Sequence, residues 1–353
     1  MNTNRTEPRL ALQQIGHRGL FRHAVPVEWG GTGGRFADMV EAHIRKGREC
    51  LDPGLILAIN AHLWGSVFPL LRFGNPVQKQ KWLRGLIEGV LIGGHAITEP
   101  HSGSDPSAME TQARPVPGGF VLNGVKRYIT NAPVADLLVV YALLESKPSA
   151  FLLIPEDPGL TVTTTHATVA CHNASMGEIH LQNCRIHSDR QLGKKGAGLS
   201  MIQSALEWER AFIFAGIAGM MEWQLEQVID FSRKRRSGKD HLGRHQAIAH
   251  RIADMRIRLD TLLLWLRECA RLADEGKRIT MASAQTKVIA SEAFLQSTLD
   301  AIHVLGARGL DEETGMASWL NDAAAGRLFS GSTEIQKNLI AALLGTGEGY
   351  KSR

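Results

Sequence analysis

"GGFVLNGVKRYITNAPVADLLVVYALL", residues 118–144, decides the fold class. It holds two short runs rich in Val, Ile, Leu and Tyr, broken by Asn-Gly and by Asn-Ala-Pro. Runs of this length, bounded by turn residues, read as strands rather than helices. "SAFLLIP", "LTVTTTHAT" and "SMGEIHLQNCRI" continue the pattern downstream. Upstream the character differs. "RFADMVEAHIRKG", "PGLILAINAHLWGSVFPLL" and "NPVQKQKWLRGLIEG", within residues 35–89, carry apolar residues at helical spacing, separated by Pro and Gly. After "QLGKKGAG" the helical period returns in four long segments, roughly 199–237, 245–275, 280–305 and 315–345. The expectation is an α+β multidomain chain: a helical domain over 1–90, a β domain over 91–193 and a helical bundle over 194–353. Strands and helices do not alternate, which argues against a Rossmann sheet. "GKKGAG" lacks the Lys-Ser/Thr end of a P-loop and reads as a β-to-α hinge.

Composition bounds the function. The 353 residues are 44% hydrophobic and 21% charged, with a formal net charge of +5. That is ordinary globular composition with room for two or three cores. No membrane-spanning run or secretory leader is expected. The cysteines, Cys50, Cys171, Cys184 and Cys269, are scattered without a CxxC pair. This points to a reduced, cytoplasmic protein with no Cys-built metal site. His241, His245 and His250 lie near helical spacing but lack acid or Cys companions, so no metal is assigned. The basic run "FSRKRRSGKDHLGRHQ" comes without a nucleic-acid motif, and an anionic small molecule is the preferred partner.

Two stretches carry candidate chemistry. "HAITEPHSGSDPSAMETQA" (95–113) sets Thr98, Ser102 and Ser104 in one loop where helices give way to strands. "SALEWERAFIFAG" (204–216) is helical, yet holds Glu207, Glu209 and Arg210 in an apolar run. The helix neighbours of Glu209 are Ala205, Leu206, Phe212 and Ile213, those of Glu207 the more polar Gln203, Ser204, Arg210 and Ala211. Glu207 can therefore face water with Arg210, while Glu209 points into the apolar side. A carboxylate there suffers desolvation, and the helix alone leaves two readings open: a structural ion pair with an unseen Arg or Lys, or a working acid.

Together these stretches resemble the acyl-CoA dehydrogenase family over nearly the whole chain. "ITEPHSGSD" is similar to the family's TEP-x-x-G-S-D flavin loop, and "VKRYITNA" to its K-x-W-I-T-N strand, with Tyr128 for the usual Trp. "IADM", "AIHVLGARGL" and "FSGSTEIQKNLIA" follow later signatures in order and spacing. The resemblance implies an N-terminal helical domain, a central β-barrel-like domain, a C-terminal four-helix bundle and bound FAD. It implies that Ile97, Thr98, Ser104, Tyr128 and Thr130 contact the flavin ring. Arg235 would reach the pyrophosphate of a neighbouring subunit, Gln246, His303 and Gly306 would add contacts across that interface, and Ser332 and Glu334 would lie over the adenosine side. It further implies a homotetramer or homodimer, electron-transfer flavoprotein as acceptor, and no membrane or nucleic-acid partner.

The departures direct the functional reading. Members with a C-terminal base write Glu-Gly-Thr where this chain has "SGSTEIQ", so Ser330 replaces that glutamate. Isovaleryl-type members place the base on the first C-terminal helix in a Leu-x-x-Glu-Arg context, and "ALEWERAF" puts Glu209 there. Glu209 is therefore expected to be the base that removes the α-proton of an acyl thioester, with Ser330 contributing through its backbone alone. Gly238 replaces an aromatic residue, "LGA" replaces Phe-Gly-Gly, and the N-terminal helix looks short against the family. The substrate is expected to be an acyl-CoA, with an acyl or aminoacyl group on a carrier protein as the alternative. A flavin monooxygenase or an inactive member is the remaining option.

Overall fold

The computed structural model describes residues 7–164 and 169–347. The helical segment that opens the chain contains α1 (Pro8–His17), α2 (Phe36–Cys50), α3 (Pro53–His62), α4 (Phe68–Phe73) and α5 (Pro76–Ile87). Asp52 caps α3 through Leu55 N–H, and a reciprocal Asn75–Gln78 box opens α5. Residues Leu63–Val67, between α3 and α4, form a π-helical turn. The whole stretch Pro53–Phe73 is long and apolar enough to cross a membrane, against the expectation that no such run exists. It is nonetheless 94% buried inside the fold, as the core helix of a domain is.

The strands are β1 (Gly93–Ala96), β2 (Gln112–Val116), β3 (Gly119–Ile129), β4 (Leu137–Leu144), β5 (Lys147–Leu153), β6 (Leu160–Thr164), β7 (Gly177–His187) and β8 (Gln191–Leu192). They form one sheet in the order β6-β7-β3-β2-β4-β5-β8, with β1 beside β4. Among the described residues the ends, β6 and β8, do not pair, so the sheet is open rather than barrel-like. β4 shows how the sequence builds it. Leu137, Val139 and Tyr141 face the helical core, while Leu138, Val140, Ala142 and Leu144 face a second core with Leu122, Ile129 and Phe151. The strand's period of two feeds both cores at once. β1 pairs in parallel with β4, Gly93 opposite Leu137 and Ala96 opposite Val140.

The C-terminal part holds α6 (Gly198–Phe212), α7 (Ala215–Lys234), a small hairpin of β9 (Arg236–Ser237) and β10 (Asp240–His241), α8 (Gln246–Asp274), α9 (Thr280–Leu305), α10 (Met316–Gly326) and α11 (Thr333–Leu343). Two of the four expected long segments are thus divided. The first breaks between α6 and α7, the last at the loop 327–332. α2 packs against α7 so closely that a Cβ on Gly47 would lie 1.7 Å from the Gly216 carbonyl oxygen, and one on Gly219 1.9 Å from that of Ile44. Only glycine allows this approach, which fixes the N-terminal helices against the bundle.

Candidate active site

Glu209 lies on the inward face of α6 with 6% of its side chain exposed. No Arg or Lys among the described residues forms a salt bridge with it. Its Oε1 accepts a hydrogen bond from Ser330 Oγ at 2.7 Å. Its Oε2 has no hydrogen-bond partner. The nearest ring nitrogen is His95 Nε2 on β1, 3.7 Å away and beyond hydrogen-bonding distance. The structural ion-pair reading is thereby set aside. One carboxylate oxygen is anchored and the other is free, an arrangement suited to proton abstraction.

The loop that brings Ser330 here is held from α6. Arg210 Nε donates to the Ser330 carbonyl at 3.0 Å, and Gln336 Nε2 donates to that of Gly331 at 3.0 Å. Arg210 therefore turns inward, contrary to its expected pairing with Glu207, and Glu207 instead accepts from the Thr280 hydroxyl. Ser330 sits at φ 56°, in the left-handed region. That conformation is uncommon for a residue with a Cβ. Here it puts the hydroxyl on the carboxylate, a contact that the expected backbone-only role of Ser330 does not include. Among the described residues the backbone N–H groups of Ser330 and Gly331 have no acceptor, which leaves them available to a substrate carbonyl.

His95 occupies a prepared place. The π-helical turn carries Gly65 beneath it, where a Cβ would approach the imidazole Cγ to 2.8 Å. Burial pushes the imidazole below its ordinary range, with the Glu209 charge opposing. The ring is therefore neutral at pH 7. Its Nδ1 is buried without a partner. Neither His95 nor Gly65 stood out in the sequence, because a lone His in an apolar strand carries no signal of its own.

The flavin-loop candidates are drawn together by one buried ion pair. Lys126 Nζ donates to Glu99 Oε1 at 2.7 Å and to the Ile97 carbonyl at 3.0 Å. Glu99 also accepts the Glu110 and Thr111 N–H groups. Lys126 is fully buried, and a buried ion with this many hydrogen bonds is a satisfied one. Arg127 N–H donates to the Thr98 carbonyl at 2.9 Å. Thr98 thus lies beside the segment that presents Tyr128, 53% exposed and at φ 56°. Among the described residues the hydroxyls of Thr98, Ser104 and Thr130 donate no hydrogen bond to the protein, and Ser104 is exposed. Free hydroxyls beside an exposed aromatic ring fit the polar edge and face of an isoalloxazine.

The remaining candidates lie on the bundle. Arg235 ends α7 and lines a cavity of about 460 Å³ with Lys234, Arg308, Leu305 and Phe231. His303 and Gly306 flank Leu305 and are exposed, as is Gln246 at the start of α8. Ser332 caps α11 by accepting the Ile335 N–H, with Glu334 in the first turn. The cavity is also lined by Asp230, Asp311 and Glu313. Asp230 is paired with Lys234, and it is the Arg235 guanidinium, without a partner among the described residues, that suits a pyrophosphate of FAD.

Comparison with known proteins finds relatives over nearly the whole chain. Residues 1–90, 94–184 and 196–345 match the acyl-CoA dehydrogenase N-terminal, middle and C-terminal domains, respectively. The L-prolyl-[peptidyl-carrier protein] dehydrogenase of Pseudomonas fluorescens is 35% identical, covering 92% of this chain and 87% of its own length. The human mitochondrial short-chain specific acyl-CoA dehydrogenase is 32% identical, covering 96% and 82%. Among solved structures, the prolyl acyl carrier protein oxidase AnaB superposes with a TM-score of 0.93 at 33% identity, over 96% of this chain and 90% of its own. PigA, solved with FAD and proline, gives 0.91 at 32% identity, over 96% and 89%. The chain belongs to the acyl-CoA dehydrogenase family, FAD-dependent oxidoreductases acting on CH–CH groups.

Proposed function

We propose that this protein desaturates a compact acyl thioester at Cα–Cβ, with Glu209 as the base. The free, buried Oε2 of Glu209, opposite an Oε1 anchored by Ser330, carries the reading. Glu209 takes the α-proton, and the enolate-like oxygen is met by the unpaired N–H groups at Ser330 and Gly331. Bound FAD would supply the acceptor for the β-hydrogen as hydride. Ile97, Thr98, Ser104, Tyr128 and Thr130 would hold its ring, Arg235, Gln246, His303 and Gly306 its pyrophosphate side, and Ser332 and Glu334 its adenosine side.

A compact acyl group is supported by the aromatic packing one turn from Glu209. Phe212 stacks on Phe36 at 5.7 Å and meets Trp64 at 5.6 Å, with Trp208 on Phe36 at 4.8 Å. The thioester is carried by an acyl or peptidyl carrier protein in preference to CoA, by similarity to the prolyl enzymes. The active form is a homodimer or homotetramer in the cytoplasm, with electron-transfer flavoprotein as acceptor. Ile257 and Leu264, exposed seven residues apart on α8, supply apolar surface for such assembly.

The test is anaerobic stopped-flow bleaching of the bound flavin by an L-prolyl thioester on a carrier protein and by butyryl-CoA. Glu209→Gln should keep the flavin and slow bleaching by about two to four orders of magnitude. Bleaching at the wild-type rate in that variant would place the base elsewhere.

A further inference from the structure

The floor of the site holds two buried polar atoms that nothing in the protein satisfies, Glu209 Oε2 and His95 Nδ1. His95 Nε2 stands 3.7 Å from Glu209 Oε2, and 14% of the His95 side chain is exposed. An unpaired buried polar group is costly, on the order of 1–3 kcal/mol. Glu209 Oε2 therefore needs a partner that arrives with the substrate, and the Nε2 edge of His95 faces it. A saturated hydrocarbon acyl group presents only C–H bonds at Cα and Cβ, and cannot be that partner.

The imidazole is also placed deliberately. The helix widens into a π turn beneath it, and Gly65 leaves the room that any larger residue would take. An apolar side chain would fill this space without leaving a nitrogen unpaired. His95 is two residues upstream of Ile97, at the start of the loop assigned to the flavin edge. The ring therefore borders the volume where the reacting carbons must lie.

We infer that His95 recognises a nitrogen on the α-carbon, so that the site selects an aminoacyl thioester over a plain acyl one. The inference rests on the reading that Glu209 removes the α-proton. A base in contact with Cα–H brings any substituent on Cα within a few ångström of Oε2, and so within reach of His95 Nε2. A neutral imidazole carries one N–H and one lone pair, and meets an amine nitrogen through either. His95 is on this account a specificity residue rather than part of the proton transfer.

The experiment compares L-prolyl-pantetheine with cyclopentanecarbonyl-pantetheine. The two thioesters share ring size and the pantetheine arm common to CoA and carrier proteins, and differ by N–H against CH2. In the wild-type holoenzyme, kcat/KM for anaerobic flavin bleaching should favour the prolyl thioester by roughly a hundredfold, since a site built to bond a polar group rejects the analogue lacking it. His95→Leu should bring the ratio to within about threefold, partly by gaining activity on the cyclopentane compound. His95→Gln keeps a donor and an acceptor and should retain most of the preference, which a merely structural role would not produce. Equal wild-type rates on the two thioesters, or an unchanged ratio in His95→Leu, overturns the inference. Should His95→Leu lose its flavin, the wild-type and His95→Gln ratios decide. Glu209→Gln separates the two readings. Wild-type bleaching in that variant removes the base assignment, whereas loss of bleaching with no effect of His95 on the ratio removes only the present inference. Bleaching of the wild type by neither thioester defeats both.

Discussion

Ser330 and Glu209 show how far single residues could be read. Periodicity placed Glu209 on the buried face of its helix, and the structure leaves it there. What it faced was not legible, because its partners come from β1 and from the loop before α11, both far away in sequence. Ser330 was expected to act through its backbone alone, yet its hydroxyl holds Oε1. Ser330→Ala should then do more than trim a surface. It leaves both oxygens of a buried carboxylate unpaired, which destabilises by about 1–3 kcal/mol, and it frees the base to rotate. Flavin bleaching should slow about tenfold. Ser330→Gly loses the same hydroxyl but relieves the positive φ, so it should match alanine in rate and exceed it in denaturation midpoint. Wild-type bleaching rates in both would show that the 2.7 Å contact has no part in catalysis.

Elements were legible where one period ran unbroken and illegible where tertiary contacts cut it. α8 and α9 emerge as single helices. The pattern over 199–237 continues through a break at Ile213–Phe214, since both sides bury the same face and the apolar period survives the bend. Pro53–Phe73 reads as one apolar helix, and nothing in its composition announces the π turn that makes room for His95. The same stretch carries His62, which locks it to the sheet. The ring lies 3.0 Å from the Leu86 carbonyl through Nε2 and accepts the Gly93 N–H at 2.9 Å through Nδ1. Only the neutral ring protonated on Nε2 satisfies both. Burial accordingly pushes its pKa down to about 4. The unfolded chain binds this proton near pH 6.5 and the folded chain does not. Stability is therefore full above pH 6.5 and falls as pH drops toward 4, by about 1.4 kcal/mol per pH unit. Urea midpoints at pH 7 and pH 5 should differ by less in His62→Gln, whose amide can make both bonds without titrating. An identical pH dependence in that variant would assign the acid sensitivity to other groups, of which His43, pushed to about 3 by burial, is the first.

At the scale of the whole molecule, the order helices, strands, helices was plain from changes of period. The shape of the middle part was not, because sheet closure depends on which edges meet, and strand length and alternation are the same in an open sheet and a barrel. The distribution of charge was also partly legible. The basic run ending α7 stood out, but the sequence could not say which of its cations are already neutralised. In the structure Lys234 pairs with Asp230, Arg236 donates to the Lys239 carbonyl and Arg244 pairs with Asp240. The Arg235 guanidinium has no hydrogen-bond or ion-pair partner among the described residues, and it lines the cavity shared with Arg308. The fold beneath it depends on backbone only, through Arg235 N–H to Phe231 and Leu242 N–H to the Arg235 carbonyl. Arg235→Ala should therefore leave the melting temperature of the apoprotein unchanged. Charge-assisted bonds to a phosphate contribute about 1.5–3 kcal/mol, so FAD affinity should fall roughly tenfold to a hundredfold. Arg244→Ala, which removes an exposed pair with Asp240 outside this cavity, is the matched control. Titration of apoprotein with FAD, followed by fluorescence quenching, separates the two. Equal and unaltered affinity in both variants would make Arg235 one more solvated charge and move the pyrophosphate contact to another cation of the cavity, Arg308 first.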